Sequence, residues 1–192
     1  MGRYTEYFKD IWKMQANRKV IGITLFGVLF DNSTPFTPGN QLAIAEGADK
    51  AIQVLTQKGY DFVIVAGQAP ARTKNLDQQD FENILNGTKE IFENLGARIK
   101  SAYYSPGTDK ADQYVKPNIG MFERAQNEGM VTWDSTYYIG ADANDLKAAS
   151  KVKAIPILIK GQGKEVKTKA FELMHQVKVQ EFNSLLEFAN SI

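Results

Sequence analysis

Lys19-Val-Ile-Gly-Ile-Thr-Leu-Phe-Gly-Val-Leu-Phe-Asp31 is the stretch whose reading decides the fold. Val20 to Leu25 reads as a buried strand that runs into a loop at Gly27 and then a second short apolar run. In open α/β sheets, reacting groups gather at the carboxyl end of such a strand, where backbone N–H groups and the next helix N-terminus converge. Here that point carries Thr24, Leu25 and Phe26, with no acid among them.

Beyond this stretch, strands and helices alternate. Asp31 to Gly39 is dense in turn residues, and Gln41 to Lys58 has helical apolar spacing closed by Gly59. Tyr60 to Ala66 is a near-continuous apolar strand of the kind buried on both faces of a parallel sheet. A helix over Asp80–Leu95, a strand over Ile99–Tyr104, a polar loop over Ser105–Asp112 and a helix over Pro117–Asn127 follow. The chain then predicts a strand at Thr136–Gly140, a helix at Asn144–Ser150, strands at Ile155–Ile159 and Gln176–Val179, and a last helix at Glu181–Ser191. Ahead of all this, Tyr4, Tyr7, Phe8, Ile11, Trp12 and Met14 predict an aromatic amphipathic helix within residues 1–17. It packs on the body of the domain or docks a protein partner, since exposed Tyr and Trp are frequent interface anchors. The pattern is a Rossmann-like open parallel sheet with helices on both faces, as one domain over residues 1–192 with its α/β core over 19–192 and no large cap.

Composition narrows the function classes. A formal net charge of +1 gives no reason to expect nucleic acid or anionic membrane as a partner. With no cysteine there is no thiolate zinc site and no cysteine nucleophile, and with one histidine, His175, beside no nucleophile elbow, serine–histidine machinery is not expected. No signal-peptide core and no membrane-length apolar run is present, so a cytoplasmic protein is the expectation. Gly161-Gln-Gly163-Lys-Glu lacks the rest of a phosphate-binding fingerprint and reads as a turn.

Four segments form an ordered set: Thr24-Leu-Phe-Gly-Val-Leu29, Val65-Ala-Gly-Gln68, Val115-Lys-Pro-Asn-Ile-Gly-Met121 and Ile139-Gly-Ala-Asp-Ala-Asn-Asp145. Their order and spacing resemble the haloacid dehalogenase-like (HAD) superfamily, and within it the capless branch of heptose-bisphosphate and histidinol-phosphate phosphatases, related to polynucleotide 3′-phosphatases. Tyr103-Tyr-Ser-Pro106 ahead of Lys116-Pro-Asn-Ile-Gly-Met121 fits that branch. The resemblance spans about residues 20–160.

The resemblance implies a nucleophilic Asp and a general-acid Asp in a first Asp-x-Asp motif, because a carboxylate can form an acyl phosphate and bind Mg²⁺. Those positions hold Thr24 and Phe26. The hydroxyl residue that holds the transferring phosphoryl oxygens corresponds to Ala66, and one metal-site carboxylate corresponds to Ala141. The zinc-binding cysteines of some members are absent. Lys116, which in the family neutralises phosphate and nucleophile, is kept, as is Asp145.

These departures imply a pseudophosphatase that acts by binding or protein interaction, with no cofactor, or Mg²⁺ on Asp145 and Asp142 if any site is retained. The alternative is an active phosphohydrolase on small phosphorylated metabolites such as sugar phosphates, using Asp142, Asp145 and Lys116 in a rearranged site. A third reading is a non-hydrolysing sensor that holds a phosphate ester with Lys116, Arg72 and the amides of Gly27 and Gly67. Each residue also has a plainer reading: Lys116 solvated, Arg72 exposed and unpaired, and Asp145 a first-turn or capping acid of its helix.

Overall fold

The computed structural model describes residues 18–31, 43–67, 77–161 and 165–192. The expected amino-terminal helix over residues 1–17, with its docking role, and Arg72 lie outside them.

Among the described residues the element order is β1 (Lys19–Ile23), α1 (Ala48–Gln57), β2 (Tyr60–Gly67), α2 (Gln78–Asn94), β3 (Ile99–Ser105), α3 (Gly120–Asn127), β4 (Tyr137–Gly140), α4 (Ala143–Lys151), β5 (Ile155–Ile159), α5 (Thr168–His175), β6 (Gln180–Phe182) and α6 (Leu185–Ser191). The strands form one sheet in the order β3-β2-β1-β4-β5-β6, and every pairing is parallel. This is the doubly wound order, and its direction reverses between β1 and β4, where a crevice opens at the carboxyl ends.

Side-chain alternation builds the two layers. Ile21 and Ile23 of β1, Phe62, Ile64 and Ala66 of β2, Ile139 of β4 and Ile157 of β5 share one core with α1, α2 and α6. Their neighbours Val63, Val65 and Tyr138 point the other way, into a core with Phe122 of α3, Trp133, and Ala148 and Ala149 of α4. The helices comply because their apolar residues recur at helical spacing, as at Ala48, Ala51, Ile52 and Leu55 in α1. Each fully buried Ile or Phe in these layers contributes about 1.5–3 kcal/mol. Asp77 opens α2 with a capping box closed by Asp80.

At the amino edge of the sheet, Asp61 is buried and takes a 2.6 Å bond from Arg18 Nε and a 2.9 Å bond from Arg98 Nε. Two cations thus compensate one buried carboxylate far from the carboxyl-end crevice.

Three expected boundaries move. The helix expected from Gln41 starts at Ala48, because Ile44 instead bridges antiparallel to Phe30 and Gly47 turns the chain at φ 72°. The helix expected from Pro117 starts at Gly120. The strand expected at Gln176–Val179 is not formed: Gln176 is the left-handed cap of α5, and the edge strand is the polar run Gln180–Phe182, which shortens the last helix to Leu185–Ser191.

Candidate functional site at the carboxyl ends of β1 and β4

Thr24 follows β1 directly. Its N–H donates to Ile139 O at 3.0 Å, which places its side chain at the β1–β4 crevice, and the residue is buried. Lys116 arrives from the loop after β3 and reaches the same point. Its ammonium donates to Thr24 Oγ1 at 3.1 Å, to Val65 O at 3.3 Å and to the Tyr138 hydroxyl at 3.3 Å, and it is ion-paired with Asp145 Oδ1. Only 10% of the Lys116 side chain and 5% of that of Asp145 is exposed, so this pair lies inside the protein.

The ammonium is saturated. An ammonium has three protons, and four acceptors surround this one. Asp145 Oδ1 faces Lys116 and the Tyr138 hydroxyl, while its Oδ2 accepts from Ala141 N at 2.9 Å. Tyr138 donates to Val65 O at 2.9 Å. Burial, aided by the charge of Asp145, pushes the Tyr138 phenol well above the ordinary tyrosine range, so it stays neutral.

Asp142 is the N-cap of α4. Its Oδ1 accepts from Asn144 N at 2.8 Å and Asp145 N at 2.9 Å, satisfying two amides at the helix start. Burial, and then the neighbouring charge of Asp145, push its carboxyl above the usual range. The folded state therefore favours the neutral form. That contribution is full below the unfolded value, about pH 4, and is lost as pH rises through the higher folded value. We expect Asp142→Asn to keep the cap and to gain on the wild type as pH rises through that window. Asp142→Ala is expected to lose about 1 kcal/mol. Urea midpoints across the window check both.

Phe26 is buried and packs edge-on against Phe81 at 6.3 Å, and Phe81 stacks on Tyr104 at 5.5 Å. An aromatic wall thus stands at Phe26, and it can neither give nor take a proton. Gly27 turns the loop at φ 81°, but its N–H donates to Phe30 O at 2.9 Å. That amide is committed to the loop and does not face a ligand. Gly67 lies against the Lys116 stem, where an added Cβ would sit 3.5 Å from Lys116 Cε. Ala66 is fully buried in β2 and offers no polar group.

The structure therefore brings Thr24, Lys116 and Asp145 together and gives Asp142 a capping role. It also adds Tyr138, which sequence reasoning passed over. The available signal was the pair Tyr137-Tyr138 on a strand: alternation sends one ring to each face, and a buried phenol needs a partner.

A divalent cation needs several oxygen donors, carboxylates foremost. Among the described residues the crevice brings Asp145, both of whose oxygens are engaged, and beside it Asp142, whose Oδ1 caps α4. Among the described residues no group of three or more acidic, histidine or cysteine side chains is placed to hold a metal ion. The residues present do not fit Mg²⁺. Also among the described residues, no helix is long and apolar enough to cross a membrane.

Comparisons with known proteins agree on the scaffold. The family model for polynucleotide kinase 3 phosphatase matches residues 39–185. A D-glycero-beta-D-manno-heptose-1,7-bisphosphate 7-phosphatase of Photorhabdus laumondii is 25% identical over 155 residues, covering 77% of this chain and 80% of that protein. The Haemophilus ducreyi protein of the same name is 29% identical over 112 residues, 54% of this chain and 62% of its own length. Among solved structures, the D,D-heptose bisphosphate phosphatase from B. bronchiseptica, complexed with magnesium and phosphate, superposes with a TM-score of 0.73 at 20% identity, covering 90% of this chain and 97% of that one. At that identity the likeness is one of fold.

Proposed function

The chain belongs to the polynucleotide kinase 3 phosphatase family, of HAD-like fold, and from that premise we propose that it is a pseudophosphatase: it keeps the phosphatase scaffold and acts by binding rather than by phosphoryl transfer. One observation carries this reading. The Lys116 ammonium, the cation that a transferring phosphate would need, spends its protons on Thr24, Val65, Tyr138 and Asp145. At the nucleophile position stands a threonine hydroxyl accepting one of those bonds, and among the described residues no histidine or carboxylate is bonded to it as a base. The acid position is Phe26, packed in the core. Losing a nucleophile and its proton-transfer partner removes about 10⁶-fold of rate.

A second reading draws on the relatives named heptose-bisphosphate phosphatases. It makes the chain a phosphohydrolase on a small phosphorylated sugar, with Asp145 as the working carboxylate. It requires Lys116 to release Asp145 and Asp142 to leave its helix cap.

Turnover of heptose 1,7-bisphosphate, other sugar phosphates and an aryl phosphate, with Mg²⁺ present, separates the two. We expect wild type, Thr24→Ala and Asp145→Asn to give the same background rate. Mg²⁺-dependent release of phosphate that Asp145→Asn abolishes would establish the second reading instead.

A further inference from the structure

We infer that this crevice excludes the divalent cation of its fold: the Lys116 ammonium is its resident cation, and Thr24 and Tyr138 complete a shell around it that needs no second one. The inference deepens the pseudophosphatase reading and rests on its placement of Lys116 and Thr24.

Charge counting leads there. Lys116 and Asp145 sum to zero, the other groups on the ammonium are a neutral threonine hydroxyl, phenol and backbone carbonyl, and the neighbouring carboxylate of Asp142 is turned to the α4 amides. A carboxylate at position 24, within bonding distance of the same ammonium, would add a negative charge to the crevice and a reason to recruit a cation. Threonine supplies an acceptor of similar reach without that charge.

Tyr138 completes the shell from the opposite side. It accepts from Lys116 at 3.3 Å while its own proton goes to Val65 O at 2.9 Å. The ring is fixed, being fully buried between Phe122 at 4.8 Å and Trp133 at 6.1 Å. The ammonium is thus held by groups that cannot swing away, at a point where a doubly charged ion would meet one spent carboxylate and a positive neighbour. The same saturation leaves inorganic phosphate no free donor on Lys116.

The test is a titration of the full chain, stripped with EDTA, with Mn²⁺ followed by electron paramagnetic resonance, and with Mg²⁺ and inorganic phosphate followed by thermal melting. Wild type is expected to bind no Mn²⁺ saturably at millimolar concentration and to melt at the same temperature with EDTA, Mg²⁺ or phosphate. Thr24→Asp/Ala141→Asp, which adds two carboxylates to the same shell, is expected to bind Mn²⁺ saturably. Should that variant not fold, Thr24→Asp alone is read in the same way, with weaker binding expected.

Saturable Mn²⁺ binding by wild type that Asp145→Asn removes overturns the inference. So does a folded acidic variant that still ignores Mn²⁺, because charge would then not be what excludes the ion. These failures are separate from failure of the functional reading. Metal bound without turnover sinks the inference and leaves the chain silent, whereas metal-independent turnover sinks the functional reading alone.

Discussion

Lys116→Met is expected to lose about 3–5 kcal/mol of folding stability, the usual cost of removing one member of a buried ion pair. Asp145 would remain buried with Ala141 N as its remaining donor, since the Tyr138 proton goes to Val65 O, and Val65 O would lose the Lys116 donor. The companion variant Lys116→Met/Asp145→Asn should recover most of the loss. An asparagine oxygen can still accept from Ala141 N, and no uncompensated charge is left inside. Urea denaturation of the three proteins checks both parts. A loss under about 1 kcal/mol for the single variant would match an exposed pair and would mean that Lys116 is solvated rather than clamped.

Gly22→Ala is expected to cost about 3 kcal/mol, at the upper end for overpacking by one methyl. The added Cβ would stand 2.5 Å from Trp133 Cζ3, 2.9 Å from Trp133 Cη2 and 2.7 Å from Tyr138 Cδ2. Neither ring can yield cheaply: Trp133 is buried with its Nε1 donating to Phe122 O at 2.8 Å, and Tyr138 is tied into the crevice. The matched control is Gly87→Ala inside α2. There a Cβ meets nothing within 4 Å, and the substitution should stabilise by about 0.5–1 kcal/mol through helix propensity. Opposite signs for one chemical change would isolate the steric term, and thermal melts of the two variants decide it. Equal effects would remove the claim that Gly22 is there to admit the indole.

The sheet was legible in the sequence because β1, β2 and β5 are dominated by apolar residues whose odd and even members serve different helix layers, and few arrangements satisfy both. Where single-residue context rules, legibility ends. Ile44 looks like the first turn of a helix until its pairing with Phe30 is known. The edge strand Gln180–Phe182 carries no apolar rhythm at all, since it borrows its order from β5.

At the crevice, Thr24, Lys116 and Asp145 could be picked out because strand ends and helix starts are local features. Whether Asp145 was free could not. Its partner lies 29 positions away in the chain, and the ion pair exists only once β4 lies beside β1. Tyr138 was hidden for the same reason: an aromatic in a strand reads as core, and the destination of its hydroxyl depends on the neighbouring strand. The Gly27 amide looked available because a glycine loop after a strand so often presents one, but here the loop closes on itself at Phe30.

The packing of Trp133 against Tyr138 has a practical consequence. The sequence contains two tryptophans, Trp12 and Trp133, so replacing Trp12 by phenylalanine leaves one indole, and that indole touches the ring whose hydroxyl helps hold Lys116. The protein thus carries its own optical gauge. Emission from this shielded chromophore registers any rearrangement that pulls Tyr138 from its seat, with no label attached and no substrate required.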